Sequence, residues 1–250
     1  MQRLLIMVGI FMASNVLAEP TRITVRVLGK DSKFIGSTMG GMLVTVQDED
    51  TGELLAQGTT VGGTGDTQAI MIRDRARGAP IGSSAASFTA TVDIAEPRLL
   101  RITALGPLAQ RQSAGTVSVT HWVVPGKHIT GGDGLVLELP GFAVDVLAPG
   151  NHSRLDKAPQ TVEIKANITM MCGCLIEPGG LWEAGKYEVK GLIKHNGQTS
   201  GQFPLRYAGK ASQFAGTLTA DKPGVYEVTV YAYDPNNGNT GLDKVVFTVD

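Results

Sequence analysis

The sequence predicts an all-β protein made of two tandem β-sandwich domains behind a cleaved signal peptide, and three observations lead there. Apolar and polar residues alternate at a period of two in many short runs. No 3.6-residue apolar period persists beyond two turns, so little helix is expected. The 32 glycines sit in turn-like clusters between the alternating runs, the distribution of a chain of many short strands.

At the N-terminus, Arg3 supplies positive charge, residues 4–13 form an apolar run, and Val16, Leu17 and Ala18 form a small-residue cleavage site. Residues 1–18 are therefore read as a signal peptide, with the mature chain beginning near Glu19. The apolar run is about half the ~20 residues that a membrane span needs, and no later segment approaches that length. Glu19 and Pro20 follow the cleavage site where a lipoprotein would carry cysteine. The expectation is a soluble exported protein, periplasmic or secreted, with no membrane insertion. A net charge of −1 without any basic run removes the electrostatic basis for binding nucleic acid or an anionic membrane.

Strand patterns then follow in order. Ile23, Val25 and Val27 mark the first strand. Met42, Val44 and Val46 mark the next and run into the polar turn 48–53, from which residues 54–57 return as a β-hairpin. Gly62, Gly63, Thr64, Gly65 and Asp66 lack the Lys-Ser/Thr ending of a phosphate-binding loop and read as an ordinary loop. The basic cluster Arg73, Arg75 and Arg77 reads as a solvated loop, because Gly78 and Pro80 follow. Further alternations lie at Phe88 to Ile94, Leu100 to Ala104, Val117 to Val123 and Leu135 to Leu139. His121 falls on the apolar face of its strand and is expected to be a buried, satisfied histidine. Polar turn residues and prolines cluster at 148–153 and 158–159, which places a domain boundary near residue 146. The domains expected are thus 19–145 and 146–250.

The second half carries seven strand patterns, near 143–148, 161–170, 186–194, 202–208, 213–219, 224–233 and 243–249. Asp221, Gly224 and Tyr226 are spaced much like a tyrosine corner, and the stretch Lys222 to Val230 with Asp234 and Asn237 to Gly241 resembles the ending of bacterial immunoglobulin-like domains, so this half resembles a bacterial immunoglobulin-like sandwich. No cysteine follows the tyrosine, as one does in antibody domains. The first half, through Val44 to Asp48, Thr51 to Glu53 and Ala56 to Thr60, resembles the opening hairpin of transthyretin-like or carboxypeptidase-regulatory-like sandwiches. Both resemblances imply fold and leave function open, because such sandwiches host many roles.

Chemistry is concentrated at Met170, Met171, Cys172, Gly173 and Cys174, which hold both cysteines of the chain. Val162, Ile164, Ala166 and Ile168 alternate with polar residues, so the even positions form the core face. Continuing that register puts Met170, Cys172 and Cys174 on one face and Met171 on the other. A strand already nine residues long at Met170 should be near its end. Four readings stay open: a soft-metal site, a structural disulfide, redox exchange, and packing alone. Thiolate and thioether ligands favour Cu(I), and a glycine between the cysteines lets both sulfurs turn toward one ion. The candidate ligands are Met170, Met171, Cys172, Cys174 and His195, with Trp182 as a possible cover. Against a stabilising disulfide, a three-residue loop yields only about 1.6 kcal/mol in the chain-entropy model.

Two functions follow. One is an exported protein that binds or handles a soft metal, Cu(I) first, with its N-terminal sandwich docking to a partner. The alternative is a structural or interaction module that recognises another exported or envelope protein, or a surface polymer, through loops or an edge strand. An enzyme is not expected: there is no G-x-S-x-G, no H-E-x-x-H, and His121, His128, His152 and His195 fall at no recurring ligand spacing. Asp133 lies near His128 but between glycines in a turn.

Overall fold

The computed structural model of the protein describes residues 18–74 and 76–250. The expected signal peptide lies outside the described residues except for Ala18, as does Arg75 of the basic cluster. Strands dominate, as the alternation requires. The first sandwich contains β1 (Glu19–Gly29), β2 (Leu43–Asp48), β3 (Leu54–Thr59), β4 (Val61–Thr64), β5 (Ala85–Ile94), β6 (Arg98–Gly106), β7 (Gly115–Val123) and β8 (Leu135–Leu139). They form two four-stranded sheets, ordered β4-β5-β1-β8 and β3-β2-β6-β7. The second contains β9 (Phe142–Ala148), β10 (Arg154–Leu155), β11 (Gln160–Met170), β12 (Glu188–His195), β13 (Gln198–Pro204), β14 (Arg206–Tyr207), β15 (Gln213–Ala220), β16 (Gly224–Tyr233) and β17 (Thr240–Val249). Its sheets are ordered β14-β15-β11-β9 and β10-β17-β16-β12-β13.

Period two sets each core. Ile23, Val25, Val44, Val46, Leu100, Ile102, Ala90 and Val92 meet between the first pair of sheets, and Val162, Ile164, Ile168, Phe214, Val228, Val230 and Phe247 between the second. In both domains a strand near the start pairs in parallel with the last strand, β1 with β8 and β10 with β17. Such pairs close a sandwich end to end, and no local turn can build them. The tyrosine corner is present: the Tyr226 hydroxyl donates to the Lys222 carbonyl at 2.9 Å.

The β2–β3 hairpin forms where the polar turn was expected. Asp48 Oδ1 accepts from the amides of Asp50 and Thr51 and from the Thr51 hydroxyl, and Gly52 takes φ +74°. These bonds, the Thr51 amide first, hold the Asp48 carboxyl below its ordinary range, with Arg98 contributing charge.

Three readings need correction. His121 is exposed, not buried. Its strand is a sheet edge, and β8 opposite has five residues, with Leu139 beside Gly115 at the far end of β7. Among the described residues, nothing packs over the inner face at Val119 and His121, although Val123, two residues on, is again buried in the core. Second, Val61–Thr64, at the start of the glycine-rich loop, forms a short strand paired with β5. Third, β9 starts at Phe142 and pairs with β11 from there, so the junction between the sandwiches falls at Pro140 and Gly141, ahead of 146. The turn cluster at 148–153 links strands within the second sandwich.

A pH-dependent stability difference is expected for Asp48→Asn. A depressed folded pKa contributes stability that is present above the ordinary carboxyl value of 3.8 and is lost as pH falls through the lower folded value. Thermal melts of the two proteins should differ at pH 7 and converge in strong acid; an unchanging gap would remove this role from Asp48.

Candidate functional site

Strand β11 ends at Met170, and the chain turns back at once. The Gly173 amide donates to the Met170 carbonyl at 2.8 Å and the Met170 amide to the Cys174 carbonyl at 3.1 Å, while Thr169 and Leu175 form an antiparallel bridge. Met171, Cys172 and Gly173 are thus the loop of a three-residue hairpin. That loop length calls for a left-handed last residue, and Gly173 has φ +77°. A side chain there would also strike Met39, since a Cβ would lie 2.7 Å from its Sδ.

The returning chain is fixed by a residue that sequence reading passed over. Ser212, fully buried with φ +64°, accepts from the Ile176 amide through Oγ at 3.0 Å and donates its own amide to the Ile176 carbonyl. Its carbonyl also accepts from Ile168 on β11. A serine between alanine and glutamine carries no pattern signal, so only the three-dimensional contact identifies it.

The turn separates the five candidate ligands. Met170 and Cys172 are 1% exposed and belong to the core of the second sandwich. Met171, at 4%, belongs to the core of the first, with Met39, Met42 and Ala143. Cys174 is half-buried against the second core. The expected shared face of Met170 and Cys172 is therefore present, whereas Met171 is not on an outer face but inside the neighbouring domain. His195 is not brought to the sulfurs. It ends β12, whose first residue, Glu188, is paired with Tyr233 at the junction end of β16. Seven residues of strand put it about 23 Å further along the sheet. There its Nε2 lies 3.0 Å from the Pro223 carbonyl and its ring 4.7 Å from that of Tyr226.

Cys172 and Cys174 are bonded as a disulfide with Cα atoms 5.3 Å apart, the curl at Gly173 bringing them closer than an extended pair would be. An exchange reaction would have to start at the half-buried Cys174 and release Cys172 as a thiolate among apolar side chains, where its charge is disfavoured. Both cysteines line a cleft of about 420 Å³ between the domains, facing Lys33, Thr38 and Thr67 of the first sandwich. Trp182 lines the same cleft. Its indole Nε1 donates to the Asp31 carbonyl at 2.9 Å, across the junction. Among the described residues, no group of three or more His, Cys, Asp or Glu side chains is placed to hold a metal ion.

Polar contacts surround the sulfur turn and tie the two sandwiches together. Asn239, fully buried, accepts from the Gly141 amide at 3.1 Å and donates to the Lys30 carbonyl at 3.0 Å. Lys30 Nζ donates to the Asn237 carbonyl at 2.8 Å, and Gln112 Nε2 to the Val144 carbonyl at 2.9 Å. Beside them Asp31 and Asp234 line a second cleft with Tyr187. Burial, then the Asp234 charge, raises the Asp31 carboxyl above its ordinary range; burial and both carboxylates raise the Tyr187 hydroxyl.

No model of a known protein family matches the sequence, and a search of the curated proteins finds no match. Among solved structures, the chain is similar to the fibronectin(III)-like modules of Clostridium thermocellum CbhA, with 15% identity over 84% of this chain and 78% of that one and a TM-score of 0.31. It is also similar to Drosophila N-cadherin EC1-3, with 12% identity over 93% of this chain and 67% of that one and a TM-score of 0.28. The immunoglobulin-like, all-β architecture stands on the strand pairing itself, and nothing further is taken from these likenesses.

Truncating Met171→Ala should cost about 2–5 kcal/mol, the range for an apolar side chain of this size removed from a core. Although Met171 directly follows β11 of the second sandwich, the loss should appear in the first. Hydrogen exchange would show it as faster exchange in β1 and β2 than in β15 and β16; the reverse pattern would contradict the placement. Replacing both cysteines by serine should cost more than the roughly 1.6 kcal/mol of loop entropy, because the hydroxyl introduced by Cys172→Ser would be buried among apolar side chains; thermal melts of the two proteins check this.

Proposed function

We propose that this is a non-catalytic, exported interaction module, in which two sandwiches are held in a fixed relation and offer their surfaces to another exported or envelope protein. The observation that carries this reading is the use made of the sulfur segment. Met170 and Met171 fill two different cores, and Cys172 and Cys174 are bonded to each other, so the one chemically distinctive stretch of the chain serves as the joint between domains. Beside it, the Trp182–Asp31, Asn239–Lys30 and Gln112–Val144 hydrogen bonds also cross that joint. A joint of this kind suits a chain that presents two surfaces at set spacing. Among the described residues no helix is long and apolar enough to cross a membrane. The leader-like residues 1–18 support export to the periplasm or beyond.

Copper handling is the second reading, and one observation favours it: both cysteines border an open cleft, and the Met39 thioether packs on the glycine between them. Reduction would release two thiolates beside that thioether, a donor set suited to Cu(I). His195 and Met171 would take no part.

An anaerobic titration separates the two. The mature protein, reduced and then given Cu(I), is compared with a Cys172→Ser/Cys174→Ser variant. The interaction reading expects equal, weak uptake by both and capture of the same envelope proteins by both. Stoichiometric Cu(I) binding by the cysteine form alone would establish copper handling in its place.

A further inference from the structure

An open sheet edge is a row of unpaired backbone donors and acceptors, and proteins ordinarily blunt such edges with charge, proline, bulges or shortness. Most edges of this protein are blunted in one of these ways. β10 and β14 are two residues long, and β4 has four with a register shift. β8 carries Glu138, β9 carries Asp145 and a shift opposite Lys165, and β13 ends in Pro204 with a shift opposite Ile193. β3 has six residues and a shift opposite Val46.

β7 has none of these protections. Its nine residues, Gly-Thr-Val-Ser-Val-Thr-His-Trp-Val, include no Lys, Arg, Asp, Glu or Pro, and they pair with β6 in unbroken register from Gly115 to Val123. Its other side has no strand partner among the described residues. Both faces of this edge carry uncovered apolar surface. On the inner face Val119 is 36% exposed and His121 lies open; on the outer face Trp122 is 62% exposed, and Val124 just beyond it 43%.

We infer that β7 is a docking edge for β7 of a second copy of this chain, the two joining antiparallel to make one continuous eight-stranded sheet. Two requirements lead to that occupant. An incoming strand must bring apolar side chains on both of its faces, to cover Val119 inside and Trp122 outside, and it must bring no charge into the seam. β7 is itself such a strand, with Val117, Val119 and Val123 on one face and Trp122 on the other. Antiparallel pairing about a two-fold axis through Val119 sets Val117 against His121 and Thr116 against Trp122, and keeps inner residues inside. It sets no like charges opposite one another, and a two-fold contact closes on itself without leading to a fibre.

The inference goes beyond the interaction reading, which concerns a different exported protein. It is tested on the mature protein by analytical ultracentrifugation across a concentration series, with Ser118→Lys and Ser118→Asp variants. Ser118 is exposed at mid-strand, paired with Thr103, and removing its hydroxyl leaves no buried group unsatisfied. The expected result is a mass that doubles with concentration for the wild type, loss of the dimer in each variant alone, and its return when the two variants are mixed. Circular dichroism should show the same fold in all samples. A Ser200→Lys variant on the β13 edge should still dimerise. A wild type that stays monomeric, or a dimer unaffected by both Ser118 charges, would overturn the inference. Either outcome would leave envelope-protein capture and Cu(I) uptake unaltered, so the interaction reading fails or survives on its own measurements.

Discussion

Two neighbouring methionines with opposite destinations hold this structure together. Successive residues of a strand point to opposite sides. In most of β11 one side is a core and the other is solvent. At its end the first sandwich takes the place of solvent, so Met170 enters one core and Met171 the next. The domains cannot separate without exposing a methionine side chain to water, and the buried Asn239 would lose the Lys30 carbonyl of the first sandwich as its partner.

The cysteines acquire their meaning from that joint. A disulfide across three residues does little to restrict an unfolded chain. Its effect here is local: it lies across the hairpin loop whose Gly173 fits under Met39, and so helps keep the joint in shape. Both cysteines border the cleft, but only Cys174 is partly exposed while Cys172 sits in the core, so one position in the molecule bears on both an architectural and a metal-binding reading.

Similar reasoning explains what the surface offers. A sandwich closes well where its two sheets have strands of matching length. At one side of the first sandwich nine-residue β7 faces five-residue β8, and two inward-facing positions of β7, Val119 and His121, remain uncovered while Val123 beyond them is buried. The mismatch leaves His121 exposed on an edge strand that carries no charge, proline or register shift.

Local pattern determined the strands, the β2–β3 turn, the core face of β11, the tyrosine corner and the all-β class, because period two and turn chemistry act over a few residues. The sequence also indicated that the chain must curl at Gly173 if the cysteines were to bond. Contacts distant in sequence decided the rest. Alternation puts Met171 on the outer side of β11 but does not say whether solvent or a neighbouring domain lies there. Sequence order puts His195 on an adjacent strand but does not say which end of that strand is near the sulfurs. An apolar face puts His121 inward but predicts burial only where another element packs over it. For His121 and His195 the strand set the side chain's direction and for Met171 the hairpin turn did, and in each case the surroundings were set by what the fold packed against it.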